Sequence, residues 1–214
     1  MTESLPEEIR PDEIRTVEEL EALIGTPTQR VADKARDRFD DIDVAWISRS
    51  PFCLVATSAA DGSCDVSPKG DPPGFVRVLD DTTLAIPERP GNRRVDGFRN
   101  MLANPQVGLI FLVPGRTDTL RVNGRVRLVR DAPYFDDMVV KGHRPLLAAE
   151  VGVDQVFYHC AKAFLRSRLW EHGGRVDDLP SRARIVQALE RPSDRVEDIE
   201  RHYGPGYAAT LYRA

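Results

Sequence analysis

Cysteine is scarce in this chain, and Cys53, Cys64 and Cys160 are odd in number with no C-x-x-C pair among them. That argues against a disulfide framework or a zinc ribbon and fits a reducing cytoplasm. Histidine is nearly as sparse: apart from His159, which stands beside Cys160, His143, His172 and His202 lie far apart, without H-x-x-x-H or H-x-x-E spacing, so no metal site is expected. There is no basic excess, because 30 Lys and Arg face 34 Asp and Glu for a formal charge of −4. The balance excludes a global field for nucleic acid and means that any anion site must be local. No apolar run approaches about 18 residues, and the N-terminus runs into acidic, proline-containing sequence, so neither a membrane span nor a secretory signal is expected. The G-x-G-x-x-G fingerprint and the strand–helix alternation of a doubly wound sheet are both missing.

What is present suits one substantial core: 214 residues, 41% of them hydrophobic. Residues 1–15 are charged and broken by Pro6 and Pro11. Thr16-Val17-Glu18-Glu19 then has capping-box spacing, followed by Leu20, Leu23 and Ile24 up to Gly25, which predicts a short helix. Pro27 restarts a second helix with Val31, Ala35 and Phe39 in register, and a third covers 41–48 with Ile42, Ala45 and Trp46 inward. The texture changes at Pro51. Residues 52–57 read as a strand, Asp61-Gly62 as a hairpin turn and 64–67 as the start of the return strand, with a second hairpin over 75–79 and 82–86. A helix over 93–102 closes at Asn104-Pro105, and strands follow at 107–113, at 120–129 with one wet face, and within 146–158. Helices are expected at 161–170, 181–189 and 195–203. Antiparallel hairpins of short strands with one inserted helix point to a closed or partly open barrel in a mainly β fold with added helices, of the α+β kind.

The segment richest in chemistry is Ile86-Pro87-Glu88-Arg89-Pro90-Gly91-Asn92-Arg93-Arg94, a polar loop between strand and helix. Guanidinium groups beside the free N–H groups of a helix start would clamp a phosphate. Taken alone, Arg89, Arg93 and Arg94 could equally be solvated surface charges. Upstream lies Asp65-Val66-Ser67-Pro68-Lys69-Gly70, and downstream come Asn104-Pro105-Gln106-Val107-Gly108-Leu109 and Leu120-Arg121-Val122-Asn123-Gly124-Arg125-Val126. This order of motifs resembles the flavin-binding split barrels of the pyridoxamine 5'-phosphate oxidase-like superfamily, and within it a bacterial subfamily of largely uncharacterised members.

The resemblance implies a six-stranded antiparallel split β-barrel of the FMN-binding type over 51–160, a helical extension over 1–50 and C-terminal helices packed on the barrel over 161–214. It implies FMN as cofactor: Lys69 and Ser67 and the trio Asn92, Arg93 and Arg94 hold the phosphate, and Ile86, Pro87 and Glu88 lie along the ring. It also implies a cytoplasmic homodimer with FMN at the subunit interface, for which Phe111, Leu112 and Val113 offer apolar material, and a small-molecule substrate, with no nucleic acid and no membrane. His159-Cys160-Ala161-Lys162-Ala163 and Arg166-Ser167-Arg168-Leu169-Trp170 match the subfamily pattern. Either Lys162, Arg166 or Trp170 stands near the flavin or the partner subunit, or Ala161, Leu165 and Leu169 face the core and the cations are solvated. The vitamin B6 oxidases end in an arginine-rich strand, whereas this chain ends in Gly204-Pro205-Gly206-Tyr207 and Leu211-Tyr212-Arg213, so oxidation of vitamin B6 is not implied. The function expected is an FMN-dependent oxidoreductase with no assignable catalytic acid or base. The alternatives are a noncatalytic flavin or haem binder, or a reductase using the deazaflavin F420 on the same fold.

Overall fold

The computed structural model describes residues 12–171 and 179–212. The chain falls into two compact units, Met1–Ala35 and Arg36–Ala214. In the first, α1 (Val17–Ile24) begins where the Thr16 side chain accepts the Glu19 amide and stops at Gly25, whose φ of 81° lets the chain leave the helix. The second helix expected there shrinks to the four residues of α2 (Gln29–Ala32).

The second unit explains why that helix does not continue. Arg36 exchanges backbone hydrogen bonds with Val156 at 3.0 and 2.7 Å, so the chain is extended there, and Phe39 is buried in the sheet's core instead of riding a helix face. In α3 (Asp41–Arg49) the buried positions are Asp43 and Ile47, whereas Ile42 is 69% exposed. The inward face is thus rotated from the one expected, with Trp46 only partly buried against the core. A carboxylate can take the inner position because Arg36 grips both its oxygens, at 2.7 and 2.9 Å, and the Asp40 amide adds a third bond at 2.8 Å.

Seven strands, not six, make one antiparallel sheet: β1 (Phe52–Ser58), β2 (Cys64–Gly70), β3 (Arg77–Asp80), β4 (Thr83–Pro87), β5 (Gln106–Leu112), β6 (Thr119–Val129) and β7 (Ala148–His159), in the order β2-β1-β5-β6-β7-β4-β3. The four-residue β3, expected from the chain within 75–79, pairs with β4 through a register shift and ends the sheet, so the six-stranded barrel falls one strand short. Helix α4 (Asp96–Ala103) lies between β4 and β5, and α5 (Lys162–Ser167), α6 (Arg182–Leu189) and α7 (Val196–His202) follow β7.

Period-two burial fills the interior. Cys53, Val55, Leu109, Phe111, Leu120, Val122, Val151 and Val156 form its centre. Phe111 is therefore fully buried and unavailable to a partner chain, whereas Ile110 beside it is exposed, because successive residues of a strand point to opposite faces. Where β6 shifts register at Asn123/Gly124, a Cβ on Gly124 would come within 2.0 Å of the Gly152 carbonyl oxygen, so the close approach of β7 needs glycine there. A satellite cluster of Ala85, Phe135, Met138 and Ala148 packs the turn Pro133–Met138 against β4 and β7.

Candidate functional site

Strand β2 is one edge of the sheet and β4 lies next to the other, yet Lys69 of β2 meets Glu88, just after β4, at 2.5 Å. Asp71 and Arg89 meet beside them at 2.6 Å. The sheet therefore curls until its two ends face each other, and side-chain ion pairs bridge the seam. Among the described residues no backbone ladder joins the edges β2 and β3, so the barrel is open.

A cavity of about 410 Å³ opens in this seam. Alternation on β2 turns Asp65, Ser67 and Lys69 to one face, and all three line it, together with Pro87, Glu88, Asn92, Arg94 and Asp96 from the far side and Phe75 from the connection between β2 and β3. A small recess of about 30 Å³ continues from Ser67 and Lys69 to Val95, Gly97 and Phe98 at the start of α4. Val95 supplies no side-chain cap, so the free amide end of α4 adjoins the recess. Gly97 permits the approach: a Cβ there would meet the Asp65 Oδ2 at 3.3 Å.

The expected site residues divide into three groups. Ser67, Lys69, Pro87, Glu88, Asn92 and Arg94 converge on the cavity. Ile86 is 3% exposed and belongs to the core, and Arg93 lines an adjoining hollow of about 260 Å³ that shares Glu88, Asn92 and Arg94 with the cavity and also takes in Leu146. Lys162 and Arg166 sit exposed on α5 and line neither space. Leu165 and Leu169 are 61% and 50% exposed, so the reading that put them in the core is also corrected. The helix begins at Asp96, later than expected, because the Asn92 side chain accepts the Arg94 amide at 2.9 Å and Arg93 takes a left-handed φ of 62°. Arg94 thereby lines both spaces and Arg93 the hollow alone.

Each cation at the cavity already has a carboxylate. Lys69 has Glu88, with the Phe98 ring centroid 4.8 Å from its Nζ, and Arg94 has Asp96 at 2.5 Å, the hydrogen bond that chiefly raises the pKa of its guanidinium. Arg89 is structural: besides Asp71 it donates to the Met138 carbonyl at 2.7 Å, tying the loop to the Pro133–Met138 turn. Sequence reasoning passed over Asp65 and Asp96 as site residues. The i, i+2 spacing of Asp65, Ser67 and Lys69 was the signal for the first. The second becomes visible only once the helix start is known.

A sequence model of the pyridoxamine 5'-phosphate oxidase family matches residues 39–160, more than half of the chain. The chain belongs to that family. The match spans the sheet, α4 and every residue that converges on the cavity. No curated protein matches the sequence. Among solved structures, HupZ of Group A Streptococcus is 20% identical, with 56% of this chain and 93% of that one covered and a TM-score of 0.45. An FMN-binding protein from Syntrophomonas wolfei is 12% identical over 56% and 81%, with a TM-score of 0.42. An F420 reductase is 19% identical over 54% and 94%, with a TM-score of 0.38. At these scores the likenesses carry no argument about ligand or reaction. Among the described residues no helix is long and apolar enough to cross a membrane.

Proposed function

We propose that this member of the pyridoxamine 5'-phosphate oxidase family binds FMN in the seam cavity and works as a cytoplasmic flavin-dependent oxidoreductase on a small molecule, on a split-barrel scaffold with helical additions at 1–50 and 161–214. The observation that carries the reading is the convergence of Ser67 and Lys69 with Asn92 and Arg94 around one cavity of about 410 Å³, with the start of α4, which no side chain caps, at the recess that continues from it. The residues present fit a phosphorylated planar group. Lys69, Arg94 and Asn92 would hold the phosphate by charge-assisted bonds, once Glu88 and Asp96 yield their places, and Pro87 and Phe75 offer apolar contact to a ring. Bound flavin would supply hydride transfer at N5; the chain itself supplies binding, orientation and charge compensation. Among the described residues the cavity's lining includes no His, Cys, Met or Tyr as an axial haem ligand, and Met101 lines the recess beyond it.

The same reading makes the active form a homodimer with flavin at the interface. On adjoining strands, the outward side chains Phe52, Val66 and Ile110 are 38%, 58% and 37% exposed, and Ala56 pairs with Val66 and Leu54 with Ile110, so they share one apolar face suited to a second copy. The exposed Lys162 and Arg166 would then act from the partner's side. The test is a titration of the purified protein with FMN, riboflavin and F420, followed by absorbance and fluorescence. Saturable binding with preference for FMN is expected. Failure to bind FMN overturns the reading, and tighter binding of F420 replaces it with the deazaflavin alternative.

A further inference from the structure

Of the two ion pairs that bridge the seam, Asp71–Arg89 is the deeper: its side chains are 1% and 13% exposed, against 21% and 27% for Lys69–Glu88. The Asp71 carboxylate also has a second partner. One of its oxygens accepts Arg89 Nε, and the other accepts the hydroxyl of Tyr212, from the end of the chain. The Tyr212 ring lies nearly parallel to His143, with centroids 5.9 Å apart and planes 20° from each other. Arg89 donates onward to the carbonyls of Met138 and His143. One buried carboxylate thus joins the end of β2, the loop after β4, the stretch 138–143 and the C-terminal segment. That segment follows α6 and α7, which pack around their own small core of Ala183, Val186 and Ile199.

We propose that Tyr212 is a positioning residue for the seam cavity, acting through Asp71 and Arg89 on the loop that carries Asn92 and Arg94; this rests on the FMN reading above. Without the tyrosine hydroxyl, a buried Asp71 oxygen lacks its donor, and the carboxylate must shift toward another, loosening its hold on Arg89. A loop no longer held in place must be ordered when ligand binds, and that cost falls on the contacts the loop provides. Those contacts are at the phosphate end, so FMN should suffer and riboflavin should not.

Tyr212→Phe keeps the ring on His143 and removes only the hydroxyl. FMN affinity should fall about tenfold, as for one lost hydrogen bond to a charged group, with riboflavin affinity within about twofold of the parent. Because the effect runs through Asp71, adding Tyr212→Phe to Asp71→Asn should weaken FMN no further. Equal losses for both ligands, additive losses, or no loss overturn the proposal. A readout without flavin keeps the two claims separate. In Tyr212→Phe the amides of Asp71 and Glu88, bonded to the Pro51 and Leu147 carbonyls at 3.1 and 2.9 Å, should exchange with solvent faster than in the parent. Unchanged exchange removes the clamp even if FMN binds. Faster exchange in a protein that ignores FMN keeps the clamp and removes the cofactor assignment.

Discussion

Lys69 and Arg94 each hold a carboxylate where a phosphate would sit, so a bound phosphate competes with Glu88 and Asp96. Lys69→Ala and Arg94→Ala are expected to weaken FMN at least about tenfold more than riboflavin, measured by fluorescence titration. Glu88→Gln should do the reverse and tighten FMN, since it leaves Lys69 its hydrogen-bonding neighbour but removes the competing charge. Asp43, fully buried, makes a different kind of prediction. Burial pushes its carboxyl pKa up, but the Arg36 bond and the Asp40 amide outweigh burial and hold it below the usual carboxylate value. A lowered folded-state pKa stabilises the fold fully above the unfolded value near 3.9, and this contribution is lost as pH falls from there through the folded value. Asp43→Asn should therefore cost about 2 kcal/mol near neutrality and show a weaker loss of stability below about pH 4 than the parent, followed by denaturant melts across pH. Cys53, whose thiol burial pushes up to about 12, is inert core despite lying on the strand next to Lys69.

At the scale of elements, the turn that ends in α4 stores strain at Arg93, whose φ of 62° is one that glycine adopts without penalty. Arg93→Gly should leave the thermal midpoint unchanged or slightly raised. If Arg93 grips phosphate, as the family resemblance implies, FMN binding should fall in that same variant. An unchanged FMN affinity would confine Arg93 to the adjoining hollow. Gly124→Ala is expected to destabilise by about 3 kcal/mol or more in denaturant melts, because its Cβ would lie 2.0 Å from the Gly152 carbonyl oxygen, a backbone atom that cannot swing aside. Most elements were legible in the residues. The Thr16 cap and the strand alternation from 120 to 129 are local signals, and the structure obeys them. Where a local pattern failed, a specific hydrogen bond had displaced it: Arg36 pairs with Val156 where the second helix was expected to continue, Arg36 holds Asp43 inward in α3, and the Asn92 side chain accepts the Arg94 amide ahead of α4.

For the whole molecule, the exposed face of Phe52, Val66 and Ile110 is the place to test assembly. Light scattering of the FMN-loaded protein should give twice the chain mass, and Ile110→Lys should give the monomer with a nearly unchanged melt, since that side chain leaves the core alone. A dimer that survives this change would place the interface elsewhere. The sequence by itself determined the kinds of residue available and their local order: short antiparallel strands, one helix before Asn104-Pro105, and a basic, hydrogen-bonding loop within a family-specific series of motifs. Such features depend on spacing and on nearest neighbours, and these can be read along the chain. Only the tertiary structure decided that the sheet curls until Lys69 reaches Glu88, that Arg89 and Arg94 both line the cavity while Arg89 is also tied into the seam by Asp71, and that Tyr212 closes on Asp71. Those outcomes depend on which distant groups can share a buried charge. Burial makes an unpaired carboxylate so costly that the partner, wherever it stands in the sequence, sets the geometry.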